Sequence, residues 1–262
     1  MNTNPNRITI LNSPVDVLTM EGTLSIINES IKEKRTLRHV VVNAAKLVNM
    51  QKDKELYNSV VTCDVINADG QSVVWASRFL GQPLPARVAG IDLMDQLVKM
   101  AYQEGYKIYL LGAKEAIVKK VAEVYSEKYS PSIIAGYNNG YFSAADEPSI
   151  AAKISASKAD ILFVAISSPK KEIFLKKYEA VMNVPFVMGV GGSFDVVSGI
   201  TKRAPVWMQN MGLEWFYRFL QEPGRMWKRY LVTNSLFIYY VLREKFKVKR
   251  NNQQYSPVNS KA

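Results

Sequence analysis

The chain of 262 residues has little of the chemistry that disulfides and metal sites require. It contains one cysteine, Cys63, and one histidine, His39. A single cysteine excludes an intrachain disulfide and indicates a reducing compartment. The two residues together are also too few for a zinc site built from histidine and cysteine within one chain.

Long apolar segments are missing as well. The longest, residues 231–242, is interrupted by Thr233, Asn234 and Ser235. It falls short of the roughly 20 apolar residues that a membrane-spanning helix needs. The first residues lack the basic and then apolar pattern of a secretory signal. We therefore expect the protein to remain in the cytoplasm.

Acidic residues are scarce in one part of the chain, residues 202–250. The formal net charge is +11, and residues 202–250 hold 11 Lys or Arg against 3 Asp or Glu, whereas residues 1–201 carry only +2. A local basic block indicates one surface that meets an anionic partner. Because aromatic residues interleave with these arginines, the partner could be an anionic membrane surface or a nucleic acid. An ordinary helical subdomain, or a contact between subunits of a homo-oligomer through residues 207–219, would fit the pattern too.

Apolar runs and helical patterns alternate through residues 1–201. The runs predict strands at 8–11, 39–43, 65–67, 107–112, 132–135, 160–166 and 185–190. The clearest helix is predicted at 92–104, with Asp92 suited to cap it. This alternation predicts an α/β fold with a Rossmann-like, largely parallel sheet and helices on both faces. A basic helical appendage at 202–246 and a disordered tail at 247–262 would complete the chain.

Two polar residues follow predicted strands, at the sheet edge where α/β folds bind ligands. Asp69 lies after the strand at 65–67 and before a helix, so it could serve as a general base or as a turn or cap residue. From spacing alone, the cap is the commoner role of such an aspartate. Asn43 ends another strand, where it could bind a sugar or nucleotide or complete a turn.

Two loops at the same edge are candidates for binding an anion. Gly191 belongs to Gly189-Val-Gly-Gly192, where backbone N–H groups could approach a phosphate, although a tight turn explains the glycines equally well. Lys170 and Lys171 follow the strand at 160–166 and could meet a diphosphate or a carboxylate. A solvated lysine pair is the simpler alternative.

Taken together, the motifs of this chain resemble those of the WecG/TagA/CpsF family of bacterial glycosyltransferases (glycosyltransferase family 26). The resemblance runs from residue 8 to residue 230 in one register. It is carried by Val41-Val-Asn43, Asn67-Ala-Asp-Gly70, Arg87-Val-Ala-Gly-Ile-Asp92, Tyr109-Leu-Leu-Gly112, Gly140-Tyr-Phe142, Ser168-Pro-Lys-Lys-Glu172, Gly189-Val-Gly-Gly-Ser-Phe-Asp195, Lys202-Arg-Ala-Pro205, Gly212-Leu-Glu-Trp215 and Tyr217-Arg-Phe-Leu-Gln-Glu-Pro223.

The resemblance implies an inverting, metal-independent hexosyltransferase on the inner face of the bacterial plasma membrane. The donor would be a UDP-sugar of the N-acetylmannosamine type, a related hexose or a uronic acid. It would be a substrate, and no cofactor would be needed. The acceptor would be N-acetylglucosamine on undecaprenyl diphosphate, in the synthesis of teichoic acid or cell-surface polysaccharide. No nucleic acid would take part.

The same resemblance assigns roles to individual residues. Asp69 would be the base that deprotonates the acceptor hydroxyl, and Asn43 and Arg87 would line its pocket. Arg218 and Arg225 would contact diphosphate. This fits the chemistry, because no Asp-x-Asp metal motif follows a suitable strand and guanidinium groups match diphosphate oxygens in pairs.

Three positions depart from the family pattern: Val41 replaces threonine, Lys171 replaces glutamine and Ser167 replaces glycine. We therefore expect a donor or acceptor with a different polar group, such as a uronic acid paired with Lys171. The alternative from another class, a nucleic-acid-binding module that uses the basic aromatic C-terminus, would leave residues 8–201 without a role.

Overall fold

The computed structural model describes residues 6–167 and 170–254, without the side chains of 225, 226, 228–230 and 247–254. The strands are β1 (Arg7–Ile10), β2 (Ser13–Asp16), β3 (Leu37–Val42), β4 (Val65–Ala68), β5 (Ile108–Gly112), β6 (Ile134–Asn138), β7 (Ile161–Ala165) and β8 (Phe186–Gly189). The helices are α1 (Met20–Lys32), α2 (Ala44–Met50), α3 (Lys54–Val61), α4 (Gln71–Leu80), α5 (Gly90–Glu104), α6 (Glu115–Lys128), α7 (Glu147–Ser157), α8 (Lys170–Met182), α9 (Ser193–Val197), α10 (Val206–Asn210), α11 (Glu214–Gln221) and α12 (Pro223–Gln254).

The main sheet is parallel throughout. Within the described residues it has six strands in the order β4-β3-β8-β7-β5-β6. All carboxyl ends therefore lie at one edge, which places the loops after β3, β4, β7 and β8 side by side. The predicted Rossmann-like α/β fold is confirmed.

Side chains that alternate along each strand enter two different cores. In β5, Ile108 and Leu110 pack with α1, α5 and α6, whereas Tyr109 and Leu111 pack with α7 and α8. A third cluster joins β3 and β4 to α2, α4 and α12. Because both faces of the sheet are covered, its strands are continuous apolar runs, which is why they could be recognised in the sequence.

The first predicted strand does not belong to the parallel sheet. β1 pairs with β2 in a separate antiparallel hairpin. The turn between them uses Leu11 and Asn12, which both have positive φ. The hairpin is held to the sheet by Asp16, which accepts hydrogen bonds from Arg7 and, at 2.7 Å, from the backbone N–H of Ile66.

The C-terminal helices are packed onto the α/β core. Phe237 and Val241 of α12 are buried against the cluster that contains α2 and α4. The helices break at Pro223, where α12 begins. The structure continues α12 to Gln254, so residues 247–254 are helical where a disordered tail was predicted, and residues 255–262 lie outside the described residues. The sequence has neither proline nor glycine from 225 to 254 to end the helix earlier.

Candidate active site

Asp69 lies at the carboxyl edge of the sheet, directly after β4. Its backbone N–H donates to the carbonyl of Val42 at the end of β3. Its side-chain Oδ1 accepts a hydrogen bond of 2.9 Å from the backbone N–H of Gly90, the first residue of α5. The carboxylate thus caps a helix that begins 21 residues later in the chain.

This contact corrects the predicted start of that helix. The structure begins α5 at Gly90, and Asp92 lies inside its first turn rather than at its cap. Ala89 at the cap position provides no side-chain hydrogen bond. Asp69 takes over the capping role, and a carboxylate at this helix end is also favoured by the helix dipole.

The surroundings of Asp69 make its carboxylate more basic than usual. Burial raises the pKa of Asp69, and the negative charge of Glu214 raises it further, whereas the Gly90 hydrogen bond, Arg87 and Lys46 act in the opposite direction. The net result is a raised pKa. A carboxylate that holds its proton more tightly is better suited to take one from a hydroxyl group.

Asn43 lies beside Asp69 and caps α2. Its Oδ1 accepts a hydrogen bond of 3.0 Å from the backbone N–H of Lys46. A Cβ added to Gly70 would lie 3.6 Å from the Cβ of Asn43, so the two strand-end turns are in close contact. The turn-forming role that the sequence left open for Asn43 is therefore present, and the residue lies against Gly70, the neighbour of Asp69.

Arg87 is held at the same edge by both backbone and side-chain contacts. The neighbouring N–H of Val88 donates to the carbonyl of Ala68 at 2.8 Å, which ties this segment to the end of β4. The Nη1 of Arg87 lies 2.5 Å from Oε2 of Glu214, the first residue of α11. The C-terminal appendage therefore reaches directly into the region around Asp69.

Lys171 is buried and already has a partner. Its Nζ lies 3.1 Å from Oε1 of Glu172, and Lys46 approaches the same oxygen at 4.0 Å. Although burial alone would raise it, the pKa of Glu172 is lowered by the charges of Lys171 and Lys46. A Cβ on Gly189 would lie 2.7 Å from the Nζ of Lys171, so the ammonium group is packed against the end of β8. The expected pairing of Lys171 with a uronic acid stays a prediction.

The glycine loop after β8 meets the appendage at a second point. Gly191 has a φ of 55°, which permits the tight turn. At Gly192, an added Cβ would lie 2.9 Å from Nη2 of Arg218 on α11, so the guanidinium group lies directly over the backbone of the loop. Arg225, the other predicted diphosphate ligand, is the third residue of α12, but its side chain lies outside the described residues.

Two residues of this region were not predicted as site residues. Arg203 Nη1 lies 2.6 Å from Asp92 Oδ1, and Arg203 Nε lies 3.4 Å from Glu214 Oε1. Glu214 therefore lies between two guanidinium groups, those of Arg87 and Arg203. Arg203 and Glu214 stand in two motifs that carry the family resemblance, Lys202-Arg-Ala-Pro205 and Gly212-Leu-Glu-Trp215. Those motifs were the signal in the sequence that could have identified them as site residues.

Two further properties of the described residues bear on function. Among residues 6–167 and 170–254, no group of three or more His, Cys, Asp or Glu side chains is placed to hold a metal ion. In the same part of the chain, no helix is long and apolar enough to cross a membrane. The prediction that no cofactor is needed stays a prediction.

A carboxylate of raised pKa beside guanidinium groups, at the carboxyl edge of a parallel sheet, is typical of an α/β enzyme that acts on an anionic substrate. Comparison with known proteins defines the class further. Residues 8–251 match the model of the glycosyl transferase WecG/TagA/CpsF family. The chain belongs to this family, which confirms the predicted family and the predicted glycosyltransferase activity.

Curated relatives cover most of the chain. It is 38% identical over 180 residues to the N-acetylglucosaminyldiphosphoundecaprenol N-acetyl-beta-D-mannosaminyltransferase of Bacillus subtilis (strain 168), a match that covers 69% of each chain. It is 32% identical over 251 residues to the protein of the same name from Staphylococcus aureus (strain MW2), and this match covers 94% of the present chain and 96% of the relative.

Proposed function

We propose that this enzyme transfers a sugar of the N-acetylmannosamine type from a UDP-sugar to N-acetylglucosamine on a polyprenyl diphosphate. The relatives' names support this acceptor and sugar. The observation that carries the proposal is the placement of Asp69, a partly buried carboxylate of raised pKa held by Gly90 beside Arg87. The nucleic-acid-binding alternative gives this arrangement no role.

In the proposed reaction, Asp69 accepts the proton of the acceptor hydroxyl as its oxygen attacks the anomeric carbon. The bond from that carbon to the UDP oxygen breaks on the opposite side, so the configuration inverts. UDP leaves with the electron pair, and its negative charge grows in the transition state. Asn43, which lies against Gly70 next to Asp69, would contact the same sugar through its amide group.

We assign the charge of the departing diphosphate to guanidinium groups rather than to a metal ion or a cofactor. Arg218 lies over the loop of Gly191 and Gly192, where backbone N–H groups and a cation would meet phosphate oxygens together. Arg225 remains a predicted ligand of the same diphosphate. Lys171 would act on donor choice through its contact with Glu172 and the end of β8, since its ammonium group is already paired.

We further propose that the C-terminal helices bring this site to the inner face of the plasma membrane. None of the residues of α11, all of which are described, is buried. Large apolar side chains are exposed on α10, α11 and the start of α12, and they are Val206, Trp207, Trp215, Phe216, Leu220, Trp227, Leu231 and Val232. Such side chains next to an excess of basic residues suit a surface of anionic headgroups.

The proposal can be tested with purified protein, a panel of UDP-sugars and a polyprenyl-diphosphate-linked N-acetylglucosamine, with products weighed by mass spectrometry. We expect a mass increase of one sugar with UDP-N-acetylmannosamine or a close analogue, both with and without EDTA. Failure of every donor would contradict the proposed reaction. Transfer that stops in EDTA and returns with a divalent cation would contradict only the proposed role of the guanidinium groups.

A further inference from the structure

Glu214 is a carboxylate where the proposed chemistry calls for positive charge. It begins α11 and reaches back to the carboxyl edge of the sheet, beside the base Asp69. A negative side chain near a diphosphate site is unfavourable by charge alone. The contacts of Glu214 must therefore compensate for this unfavourable charge.

Both oxygens of the Glu214 carboxylate are used. Oε2 lies 2.5 Å from Nη1 of Arg87, and Oε1 lies 3.4 Å from Nε of Arg203. Arg203 is held in turn by Asp92 in the first turn of α5, at 2.6 Å. Charge-assisted contacts of this kind fix the direction of a guanidinium group, which is otherwise carried on a flexible stem.

The contact also links two distant parts of the chain. Arg87 and Glu214 are 127 residues apart, and their hydrogen bond attaches α11 to the segment between β4 and α5. That segment is the one that provides the Gly90 N–H to Asp69. Movement of Glu214 would therefore be transmitted to the pocket arginine and to the electrostatic environment of the base.

We propose that Glu214 is a positioning residue, whose carboxylate holds Arg87 and Arg203 in place and keeps its own negative charge close to Asp69 when α11 is docked. The proposal rests on the proposed function, because it takes Asp69 as the base and Arg87 as a pocket residue. Arg203 Nη2 is buried and has no hydrogen-bond partner among the described residues, so this guanidinium group retains a donor for a substrate.

The first test uses the transfer rate. Glu214→Gln should lower kcat/KM by about 10- to 100-fold, as small displacements of binding groups do. Glu214→Asp keeps the charge but shortens the side chain, so it should also be slow. The control is Glu104→Gln, which removes the carboxylate of an exposed ion pair with Lys32 at the far end of α5 and should leave the rate unchanged. Wild-type rates in both Glu214 variants would overturn the proposal.

The second test does not depend on activity, so failure of the proposed function leaves it intact. The amide signal of Gly90 should follow the titration of Asp69 in nuclear magnetic resonance spectra, because the two groups are hydrogen-bonded. The charged groups around Asp69 are Glu214 on α11, Arg87 before α5 and Lys46 on α2. Removing the negative charge of Glu214 should move the Gly90 midpoint to lower pH in Glu214→Gln.

The Glu214→Asp variant, which keeps the charge, should titrate close to the wild type. If Glu214→Gln is slow but the Gly90 midpoint does not move, Glu214 has only a structural role in attaching α11, and the proposal is wrong. If the wild type is inactive with every donor, the proposed function is contradicted, while the Gly90 titration still decides whether Glu214 acts on Asp69.

Discussion

The carboxylate of Asp69 and the backbone N–H of Gly90 form a hydrogen bond of 2.9 Å that joins the end of one strand to the start of a helix in another part of the chain. Asp69 is a capping residue in the structure, and in the proposed reaction it is also the base, so it would combine two roles that the sequence presented as alternatives. Capping needs only an oxygen that accepts a hydrogen bond, whereas a base needs a carboxylate, so a substitution can separate the two roles.

Asp69→Asn should keep the hydrogen bond that caps α5 and remove the carboxylate that would accept the proton. The amide oxygen can still accept from Gly90, so the melting temperature should change little, whereas turnover should fall about 10²- to 10⁴-fold. Transfer assays and thermal melts would measure both. Asp53→Asn, which makes the same change at the cap of α3, is the matched control and should be fully active. Near wild-type turnover in Asp69→Asn would remove Asp69 as the base.

Gly192→Ala should weaken the binding of the donor without unfolding the protein. The new Cβ would lie 2.9 Å from Nη2 of Arg218, and the flexible guanidinium group would have to move away from the loop. Loss of one charge-assisted hydrogen bond of about 1.5 kcal/mol predicts an increase of about tenfold in the KM for the UDP-sugar. Gly22→Ala is the control, since its Cβ would make only ordinary contacts of 3.5 and 3.6 Å. An unchanged KM in Gly192→Ala would show that Arg218 does not bind the donor there.

His39 should make the protein less stable in mild acid. Burial lowers the pKa of this imidazole to about 4, against 6.5 when it is exposed, although its hydrogen bond to Asn67 acts the other way. Below pH 6.5 the unfolded chain therefore binds a proton at His39, whereas the folded chain binds this proton only near pH 4. Its contribution to stability is complete above pH 6.5 and decreases by about 3 kcal/mol as the pH falls towards 4.

Because the sequence has a single histidine, one imidazole signal in nuclear magnetic resonance spectra would report this titration without assignment. We expect a midpoint near 4, and a midpoint near 6.5 would contradict the burial of His39. Denaturant unfolding of His39→Gln, which lacks the titrating group, should show a smaller loss of stability between pH 7 and pH 5 than the wild type.

Removing exposed tryptophans from the appendage should weaken its binding to membranes. Trp207 and Trp227 are 59% and 55% exposed, so replacing both with serine should leave the melting temperature nearly unchanged. Co-sedimentation with vesicles that contain anionic lipid should decrease. Tyr102→Ser on α5, where the ring is 52% exposed, is the control and should bind as the wild type does. If vesicle binding is kept but a wild-type oligomer dissociates, these side chains form a contact between subunits instead.

The sheet was largely predictable because its strands are buried on both faces. Runs such as 160–166 contain almost only apolar residues, and the structure places a strand at Ile161–Ala165. β2 was missed because Ser13-Pro-Val-Asp16 has neither an apolar run nor a clear alternation, and its place is fixed by pairing with β1 and by the bonds of Asp16. The bond between Ile66 and Asp16 depends on a residue 50 positions away in the chain.

The candidate site was predictable only in part for the same reason. Strand ends in a parallel sheet share an edge, so Asn43, Asp69 and Gly191 could be placed in one region from the sequence alone. The partners of Arg87 and Lys171 could not be predicted from the sequence, because an ion pair depends on the distance between two side chains in the folded structure. Glu172 is the neighbour of Lys171 in sequence, yet only the packing of α8 against β8 shows that the pair is buried.

The bond between the N–H of Leu11 and the carboxylate of Glu244, at 2.8 Å, spans 233 residues and joins the first hairpin to the last helix. Since a chain is synthesised from its N-terminus, the apolar face of α2 and α4 stays uncovered until Phe237 and Val241 have been made. Contacts so distant in sequence also slow folding. The nascent protein is therefore expected to complete this part of its fold only after residues 237–244 have left the ribosome, which makes this face the part that chaperones would have to protect.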